Sequence, residues 1–397
     1  MKRSSLIIET TVATLLVFLT FFIINFFPFR VELIKPFKPG LKDFDIYDLY
    51  YSGSNLAKNT LDTNIVLVEI ANTREEIAKQ VDFLKSLKPA VIGVDVIFHN
   101  ASSDSNKDRH LAETAKEKDS IIWASIIEPD SSGNTIYSNP FFEVPEMKDR
   151  YGYVNFGGDK FSVIRSFTPF QKINGKEYTS FSARIAEKFS PGEFDKLKNR
   201  NNTAEDIEYS GNLETYPNYS DSELHFLYKT GQSVFSISNK IVLLGFFKKN
   251  GEKVLEDIHF TPLNEQFSGR SFPDMYGVVI HANIISMILD QRYIRTGSFL
   301  FSCSLAFIFT FLFTGYLLSR YRKKQHPSHL AFLLLQIGCI ILLTYLFLLL
   351  FSRFHIKVQL LPIIITMVLS VEMISVYKKL SIWLNKKWGY PTFFINR

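Results

Sequence analysis

Cysteine is scarce in this sequence, and so is negative charge at its two ends. Only Cys303 and Cys339 are present, both inside apolar stretches, so residues 30–296 contain no thiol. That central region therefore has neither a disulfide bond nor a thiolate nucleophile. Residues 1–29 and 297–397 together hold 2 acidic against 13 basic residues, whereas residues 30–296 hold 37 acidic against 32 basic. The net charge of +6 thus belongs to the ends, and the mildly acidic centre is not expected to bind nucleic acid.

Sequence signatures of catalysis and of metal binding are missing as well. Gly157-Gly158 and Gly315 fit neither the dinucleotide-binding nor the phosphate-binding loop, and no Gly-x-Ser-x-Gly sequence occurs. No two histidines have the H-x-x-x-H or H-E-x-x-H spacing that favours zinc. We therefore expect a protein that is not an enzyme and that has no cofactor and no structural metal ion.

Four long apolar runs stand out in a chain whose mean hydropathy is +0.05. They are Leu6–Phe27, Phe299–Leu318, Leu330–Phe351 and Val358–Tyr377. Each has about the 20 residues that a helix needs to cross a bilayer. The first run ends without a small-residue cleavage site, so we interpret it as an uncleaved anchor and not as a signal peptide. The predicted layout is one N-terminal and three C-terminal spans.

Basic residues lie mainly on one side of these spans. They form three clusters: Lys2 and Arg3; Arg320, Arg322, Lys323 and Lys324; and Lys378, Lys379, Lys386, Lys387 and Arg397. Because basic residues accumulate on the cytoplasmic side, both termini are expected in the cytoplasm of a bacterial cell with an inner-membrane location. The expected domains are 1–29 (start and anchor), 30–296 (exported), 297–377 (three-helix bundle) and 378–397 (basic, aromatic cytoplasmic tail).

Two features near the C-terminus are candidate contact sites. Trp383 and Trp388 lie among lysines, a composition that suits either anionic lipid or a partner protein. Glu372 is the one carboxylate in the fourth apolar run, and an acid inside a membrane span is a functional-site hypothesis by default. It either contacts a neighbouring helix or partner, or reaches the cytoplasmic interface near Tyr377 and Lys378.

The central region alternates apolar strands with helices. Strands are predicted at Asn64–Ile70, Ala90–Val96, Ser120–Ile127 and Lys240–Phe246, and helices at Thr73–Lys88, Asp108–Lys118, Ser180–Phe189 and about Met275–Gln291. Because the strands are apolar throughout, the pattern predicts an α/β fold with a mostly parallel sheet that is covered by helices on both faces. The polar segment Asn199–Asp221 is expected to be a mobile excursion.

Short motifs follow one another along the chain. They are Asp45-Ile-Tyr-Asp48, IVLVEI at 65–70, VIGVDVIF at 91–98, Gly152-Tyr-Val-Asn155, Ile164-Arg165, Ser180-Phe-Ser-Ala183, LHFLYKTG at 224–231, KIVLLG at 240–245, Phe260-Thr-Pro262 and Tyr276-Gly-Val-Val-Ile-His281-Ala-Asn283. Their order, with one plus three spans, resembles the CHASE type 2 family, the cyclase- and histidine-kinase-associated sensory extracellular domains of bacteria. The resemblance implies an exported sensor domain. Ala71-Asn72-Thr73-Arg74 replaces a Trp/Pro/Arg-rich block that the family usually carries.

Four residues of the exported domain are candidate ligand contacts: Glu69, Asp95, His281 and Asn283. Glu69 and Asp95 end the first two strands, where open α/β sheets gather ligands, and they would share one crevice if the strands are neighbours. Alternatively, each caps the turn or helix that follows. His281 and Asn283 either join that crevice or fasten their apolar helix to the Thr261-Pro262 turn. The same ambiguity holds for Asp257 and His259.

We therefore expect a non-enzymatic inner-membrane sensor that detects an extracytoplasmic ligand or partner. Residues 378–397 leave no room for the kinase or cyclase domain that many members of the family carry, so the signal would pass to a separate membrane or cytoplasmic effector protein. The alternative is a structural or docking subunit of a multi-protein membrane complex that has lost ligand sensing. Membrane lipids are partners in both cases, and a homo-oligomer is compatible with either.

The predicted topology can be tested with single cysteines at Asn201 and at Gln325. A membrane-impermeant thiol reagent applied to spheroplasts should label position 201 and leave position 325 unlabelled, because the three basic clusters place only the second site in the cytoplasm. Equal labelling of both positions, or labelling of 325 alone, would contradict the topology. Lysed spheroplasts, in which both positions should react, provide the control.

Overall fold

The computed structural model describes residues 6–26, 45–53, 61–101, 105–116, 120–130, 132–143, 145–157, 162–231, 236–249, 257–264, 272–323 and 328–395. The chain divides into two compact units. The helical unit comprises Met1–Phe37 and Arg295–Arg397, and the α/β unit comprises Lys38–Ile294.

The elements follow one another in the order of the chain. The helices are α1 (Leu6–Phe26), α2 (Asp48–Gly53), α3 (Arg74–Ser86), α4 (Ser105–Lys116), α5 (Phe181–Phe189), α6 (Pro191–Arg200), α7 (Asp221–Thr230), α8 (Gly277–Leu289), α9 (Phe299–Arg322), α10 (His329–Phe354) and α11 (Leu361–Trp388). The strands are β1 (Ile65–Glu69), β2 (Val91–Val94), β3 (Ile121–Pro129), β4 (Thr135–Ser138), β5 (Tyr151–Tyr153), β6 (Ser166–Phe167), β7 (Phe170–Ile173), β8 (Lys176–Thr179), β9 (Glu205–Asp206), β10 (Asn218–Tyr219), β11 (Ile241–Gly245), β12 (Ile258–His259), β13 (Met275–Tyr276), β14 (Arg295–Thr296) and β15 (Ile356–Lys357). Short 3-10 turns lie at Pro145–Arg150 and Leu213–Thr215.

A seven-stranded sheet forms the centre of the α/β unit. Its order is β10-β1-β11-β2-β3-β4, and β5 also pairs with β3. Only β4 runs antiparallel to its neighbour β3. The strands β1, β2 and β11 are buried along their whole length, as strands covered on both faces must be. The predicted α/β fold with a mostly parallel sheet is confirmed.

Helices cover both faces of this sheet. On one face, the apolar sides of α3, α4 and α7 pack on β1, β11 and β2 through a single core cluster. On the other face, α5 lies against β2, β3 and β5, and α8 lies against β1 and β11. The predicted start of α3 is correct: the Thr73 hydroxyl accepts a hydrogen bond from the amide of Glu76, and Ile77, Val81 and Leu84 are buried.

The segment Asn199–Asp221 is not an excursion, so that expectation is wrong. Three of its apolar and aromatic residues, Ile207, Tyr209 and Tyr216, are buried. Two short strands, β9 and β10, lie within it, and β10 is the edge strand of the central sheet. Polar groups of this segment form hydrogen bonds with backbone and side chains of the α/β unit. A count of polar residues does not show that they have such partners.

The helical unit contains four helices that are long and apolar enough to cross a membrane. α1 packs against α9 and α11, α9 packs against α11, and α10 contacts α11. Hydroxyl and amide groups join the helices: Thr310 Oγ1 lies 2.9 Å from Thr366 Oγ1, and Gln336 Nε2 donates to the carbonyl of Met367. Small polar groups of this kind stabilise helix pairs in lipid, where apolar burial drives association only weakly.

The C-terminal residues differ from the predicted tail. The fourth helix continues to Trp388, well beyond the predicted end at Tyr377, and Gly389 ends it in a left-handed conformation that reverses the chain. The following residues, here called the tail segment (389–395), pack back on the bundle. Phe394 is buried against the rings of Tyr377 and Tyr321. The tail is therefore partly a component of the bundle.

Glu9 is a buried carboxylate that sequence reasoning overlooked. It lies in the first span and is completely inaccessible to solvent. Its oxygens accept a hydrogen bond from the amide of Phe393 at 3.0 Å and from the hydroxyls of Tyr377 and Thr392 at 3.4 Å. A buried carboxylate needs such donors because water is excluded. Glu9 therefore joins α1 to the tail segment.

A substitution at Gly152 can test how closely β5 and α5 approach each other. A Cβ atom at Gly152 would lie 2.5 Å from Cα of Phe181 and 2.7 Å from its nitrogen, both of which are backbone atoms. Gly152→Ala should lower the free energy of unfolding of the α/β unit by about 2 kcal/mol or more, because the helix must move. Urea unfolding can be followed by the fluorescence of Trp123, which is buried in the core, with Trp383 and Trp388 replaced by Phe.

Gly192 is the matched control for this substitution. It lies in α6 with no atom within 4 Å of its added Cβ and with an ordinary helical backbone. Gly192→Ala should leave stability unchanged or raise it by about 0.5 kcal/mol. If Gly152→Ala were as harmless as Gly192→Ala, the close packing of β5 on α5 would be incorrect.

Candidate functional site

A cavity of about 330 Å³ opens at the carboxyl ends of β2 and β5, beside the first turns of α8. We call it the polar cavity. It is lined by Asp95, Ile126, Val154, Asn155, Phe156, Gly157, Ser162, Ile164, Asp257, His259, Gly277 and His281. Its place agrees with the general rule that open α/β sheets bind ligands at the carboxyl ends of their strands.

Asp95 follows β2 directly and is the acidic group at the floor of the polar cavity. Its side chain is only 11% exposed. Burial, followed by the nearby negative charge of Asp257, raises the pKa of Asp95 well above the usual value. The nearest basic group in the described part of the chain is the imidazole of His281, whose Nε2 lies 4.0 Å from Asp95 Oδ1.

His281 lies in the second turn of α8, and its side chain is 4% exposed. The ring packs between Phe156, at 4.7 Å between centroids, and Phe181, at 5.1 Å. Nδ1 shares a hydrogen bond of 2.8 Å with the hydroxyl of Ser182 in α5. Burial, together with the charge of His259, lowers the pKa of His281 to about 3. The imidazole is therefore neutral at physiological pH.

The second nitrogen of His281 is the unusual atom of the site. Nε2 is buried and has no hydrogen-bond partner among the residues that the structure describes. Buried polar atoms are nearly always paired with protein groups or with bound molecules. His281 is one of the residues that line the polar cavity, and Nε2 is the atom of its ring that a bound molecule could engage.

Asp257 and His259 also line the polar cavity. His259 Nε2 lies 3.5 Å from Asp257 Oδ1. The carboxylate of Asp257 approaches the first residue of α8 so closely that a Cβ at Gly277 would lie 3.2 Å from its Oδ1. Glycine at 277 leaves room for this contact, and negative charge is favourable beside a helix N-terminus. The cavity lining thus includes two acidic groups, Asp95 and Asp257.

No three His, Cys, Asp or Glu side chains in the described ranges converge as ligands of a metal ion. The arrangement instead offers a neutral imidazole nitrogen, two carboxyl groups and an aromatic face. It is suited to bind a small polar molecule by hydrogen bonds and charge.

Glu69 lies elsewhere, so the expected crevice shared by Glu69 and Asp95 is wrong. β11 lies between β1 and β2 and pairs with both, which separates the two strand ends. Glu69 pairs with Lys248, with Nζ 2.5 Å from Oε1. It does not line the polar cavity. β11 follows both strands in the sequence. No local pattern in β1 or β2 predicts that β11 is inserted between them.

Asn283 also lies outside the polar cavity. Its Oδ1 accepts from the amide of Ser210 at 2.8 Å, and its Nδ2 donates to the carbonyls of Gly211 and Val279 at 2.9 Å. Asn283 therefore fastens α8 to the 210–211 segment, and the expected attachment to the Thr261-Pro262 turn is wrong.

Asp274 holds the Thr261-Pro262 turn. Its Oδ1 accepts from the amide of Thr261 at 2.8 Å, and its Oδ2 accepts from the hydroxyl of the same residue. Burial raises the pKa of Asp274 to about 6, although these hydrogen bonds oppose the shift.

The three candidate contacts of the helical unit are exposed. Glu372 points outward, and its Oε1 lies 3.5 Å from Nε2 of His329 at the start of α10. Trp383 and Trp388 meet edge to face at 5.4 Å, and the ammonium group of Lys387 lies over both rings. Trp383, Lys387 and Trp388 form an outward-facing aromatic and basic surface at the end of α11. Their roles as lipid or partner contacts stay predictions.

Sequence reasoning missed three groups that build the cavity. Asn155 receives a hydrogen bond from the amide of Ile127 and thereby ties β5 to β3. Phe156 supplies the aromatic wall, and Ser182 orients His281. Asn155 and Ser182 belong to two of the motifs given above, Gly152-Tyr-Val-Asn155 and Ser180-Phe-Ser-Ala183. These motifs could have identified both residues, whereas the search for acidic residues at strand ends could not.

A family model of the CHASE2 domain matches residues 43–318, well over half of the chain. The chain therefore belongs to the CHASE2 domain family, which is a family of extracellular sensory domains. With its four apolar helices, it is a multi-pass membrane protein with an extracellular CHASE2 domain. Searches of curated proteins and of solved structures find no match.

Proposed function

We propose that this protein is a non-enzymatic inner-membrane sensor whose polar cavity binds a small molecule outside the cytoplasm. The observation that carries the proposal is the buried, unpaired Nε2 of His281 in a cavity that it shares with Asp95. A buried imidazole nitrogen that has no hydrogen-bond partner among the described residues is costly unless something binds it. Family membership supports the sensory role.

The signal would leave the cavity through α8. Gly277 and His281 line the cavity, and α8 ends at Leu289. Only residues 290–298 separate it in sequence from α9, the first of the three C-terminal spans. A ligand that favours one position of the first turns of α8 would bias the helices that follow, provided that it binds one arrangement more tightly than the other.

The helical unit would pass the signal to a separate effector. We propose that both termini are cytoplasmic and that the surface formed by Trp383, Lys387 and Trp388 contacts lipid or the effector. Trp388 is 67% exposed, and Trp383 is 48% exposed. The burial of Phe394 and its contacts to α9 and α11 support the further suggestion that the tail segment reports the packing of the bundle.

A docking subunit is the second candidate function. A groove of about 570 Å³ between α3 and α7 supports it, because this groove joins the rings of Phe83 and Tyr228 to acidic residues such as Asp82 and Asp221. Tyr228 and Phe226 on α7 are both more than half exposed. Exposed aromatic residues are typical of protein interfaces. In this case the polar cavity would hold only water.

The two functions can be separated by comparing Asp95→Asn with Glu69→Gln. Both acids end strands of the same sheet and both are largely buried, but only Asp95 lines the cavity. We expect native mass spectrometry of the protein purified from its own membranes to show a bound small molecule in the wild type and in Glu69→Gln. Asp95→Asn should lose it while keeping its fold, because Asn fills the same volume.

Two outcomes would contradict the sensor. One is the absence of a bound molecule in the wild-type protein after incubation with a complete metabolite extract. The other is equal loss in both variants, which would mean that the acids affect binding only through stability. Thermal unfolding of each variant provides the control for folding, and co-purified proteins in the same samples test the docking alternative.

A further inference from the structure

Two hydrogen-bond acceptors lie close together among the residues that line the polar cavity. In the tautomer in which Nδ1 of His281 donates to Ser182, Nε2 is an acceptor, and it lies 4.0 Å from Oδ1 of Asp95. We propose that the ligand of this cavity carries an ammonium group that donates to both atoms. This inference rests on the proposed function, since it names the chemical class of the molecule sensed.

The distance between the acceptors fits a tetrahedral ammonium donor. A nitrogen placed about 2.9 Å from each of two acceptors that are 4.0 Å apart subtends an angle of roughly 90° between them. This value is close enough to the tetrahedral angle for two N–H bonds of one ammonium group to reach both. A carboxylate ligand has no N–H or O–H group to donate to Nε2 of His281.

Charge points to the same class of ligand. Two carboxyl groups, of Asp95 and Asp257, line the cavity, and the described lining residues include no lysine or arginine. Among the described lining residues, the basic groups are His281, which is neutral, and His259, which is paired with Asp257. A positive ligand would supply the counter-charge that these walls lack.

The aromatic wall and the size complete the description. Phe156 lines the cavity next to His281, and an aromatic face attracts a cation. A volume of about 330 Å³ is sufficient for a small amine. Because Asp257 also lines the cavity, a diamine is a suitable probe, with one ammonium group for each acid.

The experiment uses calorimetric titration of the full chain in lipid nanodiscs with 1,4-diaminobutane, 1,4-butanediol and succinate. The three probes share a four-carbon chain and differ in charge. The diamine should bind at least about tenfold more tightly than the diol, and succinate should not bind. Repeating the titration in two buffers of different ionisation enthalpy measures the protons that are released.

Proton release is the decisive readout, because a structural role of Asp95 would not produce it. In the free protein the pKa of Asp95 is raised by burial, and an ammonium group beside it would lower that pKa. At a pH between the pKa of Asp95 in the bound protein and its pKa in the free protein, Asp95 holds a proton before binding and loses it on binding. We therefore expect net proton release at pH values that lie between the pKa of Asp95 in the free and in the bound protein, and no release from Asp95→Asn, whose affinity should fall at least about tenfold.

Several results would overturn the inference. Equal affinity for diamine and diol, binding of succinate, or diamine binding without proton release in the wild type would each do so. No diamine binding at all would refute the ammonium class and would leave the proposed sensor to its own mass-spectrometric test. Glu69→Gln, which should match the wild type in both affinity and proton release, controls for general effects of removing a buried acid.

Discussion

The site depends on one constraint, which is that His281 is buried in the neutral form. Its ring is enclosed by Phe156 and Phe181, and its Nδ1 is held by Ser182 on a different helix. An imidazolium in this place would be desolvated and would be repelled by the charge of His259, so the pKa of His281 falls to about 3. Because the pKa in the unfolded chain is near 6.5, the folded α/β unit benefits from neutral His281 above that pH and loses this contribution as the pH falls toward 3. The same burial leaves Nε2 without a hydrogen-bond partner in the described chain. This unpaired atom is the basis of the binding function that we propose.

The rest of the α/β unit serves to hold this histidine in place. α8 carries His281 across one face of the sheet, where Gly245 lets Val278 approach β11 closely. α5 presents Ser182 because Gly152 allows β5 to lie against the backbone of Phe181. Asn283 fastens α8 to the segment that also supplies the edge strand β10. Gly152 and Gly245 lack a side chain and thereby allow the helices to pack closely on the sheet. Asn283 holds α8 in place because its partners are backbone groups of a distant segment.

Local patterns in the sequence predicted the elements well and their long-range arrangement less well. The apolar strands, the capped helix α3 and the four membrane-spanning helices follow from hydrophobic periodicity and length, which are properties of neighbouring residues. The insertion of β11 between β1 and β2 is not such a property, and it separated Glu69 from Asp95. Polar composition alone suggested that Asn199–Asp221 is mobile, although Tyr209 and Tyr216 are buried. Glu9 was overlooked because its donors, Phe393, Thr392 and Tyr377, lie more than 360 residues away. Asp95 and His281 were predicted as candidates, and their proximity could be established only from the three-dimensional structure.

The central claim is that His281 is neutral and enclosed, with one nitrogen held and the other unpaired. The most direct test is ¹⁵N nuclear magnetic resonance of the full chain with labelled histidine, in which the signals of His281 are assigned by comparison with His281→Asn. The account predicts a neutral ring with two distinct nitrogen signals that do not change between pH 8 and pH 5. Ser182→Ala should shift the Nδ1 signal, since it removes the hydrogen bond to that atom. Protonation of His281 near its ordinary pKa of 6.5 would show that the ring is open to water, and it would contradict both the enclosed cavity and the ligand site that depends on it.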